Sequence, residues 1–84
     1  MADVTVYSAD WCPYCNRAKK LLESKNIEFE EINVDEVPGK REEIMAKTGQ
    51  KTIPQIFIKG EFIGGFSELS QMNESGDLDK RLQS

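Results

Sequence analysis

The stretch Val4-Thr5-Val6-Tyr7-Ser8-Ala9-Asp10-Trp11-Cys12-Pro13-Tyr14-Cys15 decides the fold. Its first four residues are β-branched or aromatic and predict a strand, which a short loop follows. Cys12 then stands at the N-cap of a helix, and Pro13 occupies the first helical position, where proline is favoured. A strand that leads directly into a helix indicates an α/β fold, with both cysteines in the first turn of that helix.

The remainder of the chain predicts the element order β-α-β-α-β-β-α. The first two strands are separated by a helix and should be parallel, whereas the last two should form an antiparallel hairpin, giving a mixed four-stranded sheet flanked by helices. The alternation in the second strand changes parity between Phe29 and Ile32, which a bulge or a strand covered on both faces would explain. After the first helix, the predicted elements are a strand over 27–34, a helix over 38–48, strands over 55–58 and 62–63, a helix from Phe66 to Gly76, and a last turn from Asp77.

Length and composition limit the possible function classes. The chain has 84 residues, of which 38% are hydrophobic, so we expect a single domain over 1–84. A net charge of −4 argues against a nucleic-acid partner, because phosphate binding depends on Lys and Arg. The longest apolar run is Ile56-Phe57-Ile58, too short to cross a membrane, and the N-terminus lacks the pattern of a signal peptide. We therefore expect a cytoplasmic protein without a membrane or nucleic-acid partner.

Residue usage also restricts the chemistry. The chain contains no histidine, which excludes Cys/His and Ser/His/Asp catalysis. Two cysteines, Cys12 and Cys15, cannot complete a four-ligand zinc site on one chain, so no metal site is expected. A bridge between them would close a loop of only about 4 residues and stabilise the fold little. Cys-x-x-Cys is the spacing of redox dithiols, and a dithiol that cycles is the remaining interpretation.

The position of the two cysteines predicts different roles. The thiolate is the nucleophile, and Cys12 at a helix N-terminus lies near unpaired backbone N–H groups and the positive end of the helix dipole. Cys15 follows one helical turn later, so its sulfur can reach that of Cys12. Because it lies nearer the buried face, Cys15 should be the less reactive partner.

Three motifs in order carry a resemblance to a known family. Cys12-Pro13-Tyr14-Cys15 resembles the active site of the dithiol glutaredoxins, of the Cys-Pro-Tyr-Cys class. Thr52-Ile53-Pro54-Gln55-Ile56-Phe57-Ile58 and Gly64-Gly65-Phe66-Ser67-Glu68-Leu69 resemble two further signatures of that family, so that the resemblance covers essentially the whole chain. It implies a thioredoxin fold with strand order 2-1-3-4, with glutathione as co-substrate and no bound cofactor.

The resemblance also implies the roles of individual residues. Pro54 would be cis and face the nucleophilic sulfur, and the backbone of Ile53 would pair with the cysteinyl part of glutathione. The start of the last long helix would hold the γ-glutamyl carboxylate, and Lys51 and Arg41 would serve the glycyl carboxylate. The implied catalytic residues are Cys12 and Cys15; the implied glutathione-binding residues are Tyr14, Arg41, Lys51, Thr52, Ile53, Pro54, Gly65, Phe66, Ser67 and Glu68.

Two positions depart from the family pattern, and they keep alternatives open. Ala9 stands where many glutaredoxins carry a lysine that would face the glycyl carboxylate. A tryptophan directly before the first cysteine, here Trp11, is similar to the pattern of thioredoxin and not of glutaredoxin. The first hypothesis is a monomeric, glutathione-dependent oxidoreductase that reduces glutathione mixed disulfides and protein disulfides, with ribonucleotide reductase as a substrate on family grounds. The second is a thioredoxin-like electron donor recharged by a flavin-dependent reductase. The third is a non-enzymatic dimer that holds an iron–sulfur cluster through Cys12 of each chain and two glutathiones.

Overall fold

The computed structural model describes residues 3–83. Within them, four strands and four helices form an α/β arrangement, and no helix has the length and apolar character that crossing a bilayer requires. The elements are β1 (Val4–Ser8), α1 (Pro13–Ser24), β2 (Phe29–Asn33), α2 (Lys40–Thr48), β3 (Gln55–Ile58), β4 (Glu61–Gly64), α3 (Phe66–Ser75) and α4 (Asp77–Gln83).

The four strands form one mixed sheet in the order β2-β1-β3-β4. β1 runs parallel to β2, with Val4 opposite Phe29, and antiparallel to β3, with Val4 opposite Ile58. β3 and β4 form the antiparallel hairpin, whose register shifts between Ile56 and Phe57. The predicted mixed sheet and the strand order implied by the resemblance are both confirmed.

Helices cover both faces of the sheet, which gives two apolar clusters. This explains the parity change in β2: Phe29 packs against the larger cluster, whereas Ile32 lies opposite Tyr7, which packs against the smaller one. A strand covered on both faces is therefore the correct explanation. The larger cluster contains the buried residues Val4, Val6, Ala18, Leu22, Ile56, Ile58, Leu69 and Leu78, and the smaller one Ala9, Val34, Ile44 and Phe57.

The helix boundaries differ from the prediction at two points. The final segment is a separate helix, α4, because Gly76 has φ +85° and ends α3 in the left-handed region, after which the chain turns and buries Leu78 completely. The predicted order therefore lacked one helix. α2 begins at Lys40 and not at Pro38, because Gly39 has φ +79° and cannot belong to a right-handed helix.

Candidate active site

The two cysteines lie at the start of α1. Cys12 is the N-cap, with extended backbone, and its Sγ accepts a hydrogen bond of 3.2 Å from the backbone N–H of Cys15. Both are free thiols, and Cys12 is 3% and Cys15 0% exposed. The helix start thus delivers a backbone donor to the sulfur of Cys12, an arrangement that stabilises a thiolate.

The environment of Cys15 holds its sulfur in the protonated form. Burial, followed by the hydrogen bond with Cys12, raises the pKa of Cys15 to about 12. A hydrogen bond with the Ala9 backbone and the charge of Lys19 act in the opposite direction and lower this pKa. Because Cys15 remains a thiol near neutral pH, the asymmetry of the pair favours Cys12 as the attacking sulfur.

The loop before β3 lies opposite Cys12. The Ile53–Pro54 peptide bond is cis, as the resemblance implies. The carbonyl oxygen of Ile53 lies 3.7 Å from the Sγ of Cys12, which donates to it as a thiol. The loop therefore presents backbone groups next to the reactive sulfur.

A groove with a volume of about 530 Å³ begins at this loop and extends to the start of α3. It contains eight of the ten residues predicted to bind glutathione: Tyr14, Thr52, Ile53, Pro54, Gly65, Phe66, Ser67 and Glu68. Five further lining residues were not predicted: Gln50, Gln55, Phe62, Ile63 and Gly64.

The start of α3 forms one end of the groove. The backbone N–H of Gly65 donates to Oε1 of Glu68 at 2.6 Å. In the first turn that follows, the backbone N–H groups have no acceptor within the helix, which makes a helix start suited to binding anions. A Cβ at Gly65 would lie 3.2 Å from the carbonyl oxygen of Pro54. Glycine at this position therefore allows α3 to approach the loop of the cis-proline closely.

A buried glutamine supports the same loop from behind. Gln55 is buried on β3, and its Nε2 donates to the carbonyl oxygens of Gln50 at 2.9 Å and Thr52 at 3.0 Å. Its Oε1 accepts from Oγ1 of Thr48 at 2.7 Å. These bonds tie the loop to the sheet and to the end of α2. A polar residue in a strand that is otherwise apolar was the sequence signal for this role.

Arg41 and Lys51 do not line the groove. The guanidinium of Arg41 lies over the ring of Trp11, 5.6 Å from its centroid, and its Nη2 is 3.1 Å from Oδ1 of Asp35. Trp11 is 64% exposed and donates through Nε1 to Oδ2 of Asp35 at 2.8 Å. The hydrogen bond from Trp11, followed by that from Arg41, lowers the pKa of Asp35. Because parallel strands end at the same edge, the pairing of β1 with β2 was the signal that could have placed Trp11 beside Asp35.

Ala9 does not face the groove. It is 1% exposed and packs with Val34, Ile44 and Phe57 in the smaller apolar cluster. The expectation that the side chain of Ala9 faces the groove is therefore wrong, because the loop after β1 turns its Cβ into the core.

A polar cluster near Cys15 joins the end of β1, the middle of β2 and α1. The buried Ser8 donates through Oγ to Oε2 of Glu31 at 2.6 Å, and Nζ of Lys19 lies 2.7 Å from the same oxygen. The hydrogen bond from Lys19, followed by that from Ser8, lowers the pKa of Glu31, and Glu31 in turn raises the pKa of Lys19. We call these three residues the Ser8–Glu31–Lys19 cluster. The sequence prediction missed it because its members come from three separate elements.

A dithiol at a helix start, opposite a cis-proline loop and beside a groove, defines a thiol–disulfide oxidoreductase with the thioredoxin fold. Comparison with known proteins agrees: the family model described as Glutaredoxin matches residues 4–63. The chain belongs to the glutaredoxin family.

Individual relatives cover nearly the whole chain. It is 45% identical to Glutaredoxin 3 of Escherichia coli (strain K12) over 83 residues, which is 99% of this chain and 100% of the relative. It is 43% identical to a glutaredoxin of Pseudomonas aeruginosa over 82 residues, or 98% of each chain. Among solved structures, a buckwheat glutaredoxin–glutathione complex is similar with a TM-score of 0.90 and 30% identity, over 96% of this chain and 76% of that one. Within residues 3–83, no group of three or more Cys, Asp or Glu side chains is arranged to hold a metal ion.

Proposed function

We propose that the protein is a glutathione-dependent oxidoreductase, which reduces glutathione mixed disulfides and protein disulfides in the cytoplasm as a monomer. The observation that carries this proposal is the groove, which joins the loop beside the sulfur of Cys12 to the start of α3. Glutathione has a thiol near its middle and carboxylates at both ends. A ligand with that layout needs a backbone partner near the sulfur and an anion site at a distance from it. A buckwheat relative has been solved as a glutathione complex, which supports the assignment.

The groove residues suggest one orientation for glutathione. The backbone of Ile53 would pair with the cysteinyl residue as an added strand does. The γ-glutamyl carboxylate would lie at the start of α3, where Ser67 adds a hydroxyl, and Glu68 would lie near the ammonium. By the resemblance, the glycyl carboxylate would be served by Lys51 and Arg41, which lie outside the groove lining; Lys51 stands in the chain between the lining residues Gln50 and Thr52.

The chemistry is thiol–disulfide exchange in balanced steps. The thiolate of Cys12 attacks the glutathionyl sulfur of a mixed disulfide, the Cys12–glutathione bond forms, and the substrate leaves as a thiolate that takes a proton. A second glutathione thiolate then attacks this bond, releasing oxidised glutathione and the Cys12 thiolate. With a protein disulfide, Cys12 first binds the substrate covalently. Cys15 displaces the reduced substrate by forming the Cys12–Cys15 disulfide, which two glutathiones reduce.

Comparing two reducing systems tests this proposal. Reduction of a glutathionylated protein is followed through NADPH consumption, either with glutathione and glutathione reductase or with thioredoxin reductase. The proposed function predicts turnover with the glutathione system and background rates with thioredoxin reductase. The reverse result would favour the second candidate, a thioredoxin-like electron donor, for which the hydrogen bond between Trp11 and Asp35 beside the dithiol is the supporting observation.

A further inference from the structure

The proposed dithiol reaction requires Cys15 to lose a proton in an unfavourable place. Its side chain is fully buried, and burial is the largest effect that opposes its ionisation. When Cys12 is bonded to a substrate sulfur, the effects of Cys12 on Cys15 disappear, because Cys12 then carries neither a charge nor a thiol proton. Burial then remains as the opposing effect, and the Ala9 backbone and Lys19 favour the thiolate.

Lys19 is held close to Cys15 by contacts that do not involve the groove. It follows Cys15 by four residues on α1, so both lie on the same face of the helix. Its Nζ is 2.7 Å from Oε2 of Glu31, and the same oxygen accepts a 2.6 Å hydrogen bond from the buried Ser8. The Lys19 side chain is 22% exposed, so its charge acts in a partly desolvated site. The ammonium is therefore fixed between α1 and β2.

The charges around this site come from each neighbouring element. Lys19 faces Glu31 on β2, Asp10 in the loop after β1 and Cys15 on α1. Cys15 faces Cys12 on its own helix and Lys19. Among these groups Lys19 is the positive one. Glu31 opposes a second negative charge nearby, but it also keeps the ammonium in place.

We propose that Lys19 is a positioning residue for the resolving step: its ammonium, fixed by Glu31 and through it by Ser8, stabilises the thiolate that Cys15 forms when it displaces a substrate from Cys12. In that step the Cys15 thiol gives its proton to solvent, and its electron pair attacks the sulfur of Cys12. The Cys12–Cys15 bond forms, the Cys12–substrate bond breaks, and the substrate leaves as a thiolate that takes a proton. This inference rests on the proposed dithiol chemistry and extends it beyond the two cysteines.

The resolving step can be measured alone. Reduced protein is mixed with oxidised glutathione, the reaction is quenched with acid, and mass spectrometry separates glutathionylated protein from the internal disulfide. We expect Lys19→Gln to accumulate glutathionylated protein and to close the internal disulfide about 3- to 10-fold more slowly at pH 7, since one partly screened charge is lost. The rate-against-pH profile of this closure should move to higher pH. Lys19→Arg, which keeps the charge, should close the disulfide at close to the wild-type rate.

Two control variants separate the charge of Lys19 from a structural role. Lys20→Gln removes the same charge from the next residue of α1, which is exposed, and should leave the rate of disulfide closure unchanged. Glu31→Gln releases the ammonium from its anchor but keeps its positive charge and removes a nearby negative charge, so it should slow the closure less than Lys19→Gln does. The inference is overturned if Lys19→Gln closes the disulfide at the wild-type rate, if Lys19→Arg is as slow as Lys19→Gln, or if Glu31→Gln is equally slow.

The same variants are then assayed with 2-hydroxyethyl disulfide, which loads Cys12 without any need to recognise glutathione. If 2-hydroxyethyl disulfide loads Cys12 of the wild-type protein but oxidised glutathione does not, glutathione recognition fails while the role of Lys19 is still measured. If both probes load Cys12 and Lys19→Gln alters neither closure rate, the role of Lys19 fails while the proposed function stands.

Discussion

The carbonyl oxygen of Ile53 lies 3.7 Å from the Sγ of Cys12, although the two residues are 41 positions apart. The contact depends on the loop before β3, which Gln55 ties to the sheet and to α2. The reactive sulfur is therefore placed by two structures at once, the start of α1 and this loop. Changes that move either structure should affect glutathione use before they affect the fold.

Replacing Gln55 tests the support of the loop. Gln55→Leu leaves the carbonyl oxygens of Gln50 and Thr52 without their donor, so we expect a loss of about 1–3 kcal/mol in the free energy of unfolding. The KM for glutathione should also rise, because Thr52, whose carbonyl oxygen loses its donor, directly precedes Ile53 in the loop beside Cys12. Urea unfolding and steady-state kinetics measure both effects. Gln71→Leu, at an exposed position of α3, is the control. A stable Gln55→Leu variant with an unchanged KM would contradict this role.

Gly65→Ala tests the close approach of α3 to the loop. The new Cβ would lie 3.2 Å from the carbonyl oxygen of Pro54, so helix and loop must separate by a few tenths of an ångström. The backbone angles of Gly65 allow alanine, so the effect should arise from this contact and not from strain. We expect the KM for glutathione to rise a few-fold with little change in the maximal rate. Gln71→Ala on the same helix should leave the KM unaltered, and an unaltered KM in Gly65→Ala would place glutathione elsewhere.

On the acid side of neutrality, the Ser8–Glu31–Lys19 cluster should lose its contribution to stability as the pH falls. The pKa of Glu31 is lowered in the folded protein, so its contribution to stability is complete above its unfolded pKa of about 4.3 and is lost as the pH falls through the folded value. Wild-type protein should therefore be more stable than Glu31→Gln at pH 7, and the difference should shrink towards pH 3. Thermal unfolding of both proteins across this range measures it. A difference in melting temperature that is constant with pH would show that Glu31 acts by packing alone.

The sequence was sufficient to predict the parts of this protein that local patterns encode. Pro13 directly after Cys12 marked the helix start, and the parallel pairing of β1 with β2 followed from the helix between them. The resemblance supplied what local patterns do not, namely the cis bond before Pro54. The fourth helix was missed because the pattern at Asp77 and Leu78 indicates only one capped turn, and its continuation depends on the packing of Leu78 in the larger apolar cluster.

The residues that sequence reasoning missed act through contacts between distant elements. Ala9 was expected at the groove because similar proteins carry a cation for the glycyl carboxylate at this position, but the loop turns its Cβ into the smaller apolar cluster. Lys19 and Glu31 each have the pattern of a solvated charge, and only the register of β2 beside β1 brings Glu31 within reach of Ser8. Such contacts depend on tertiary geometry, which hydrophobic periodicity does not predict.

In the proposed reaction, Cys12 attacks and Cys15 resolves, with glutathione as the reductant. The measurement that tests it most directly is reduction of a glutathionylated protein, coupled to glutathione reductase, by Cys12→Ser and Cys15→Ser. We predict that Cys12→Ser falls to the uncatalysed rate, whereas Cys15→Ser retains this activity and loses the reduction of protein disulfides. Activity retained by Cys12→Ser, or lost equally in both variants, would contradict the account.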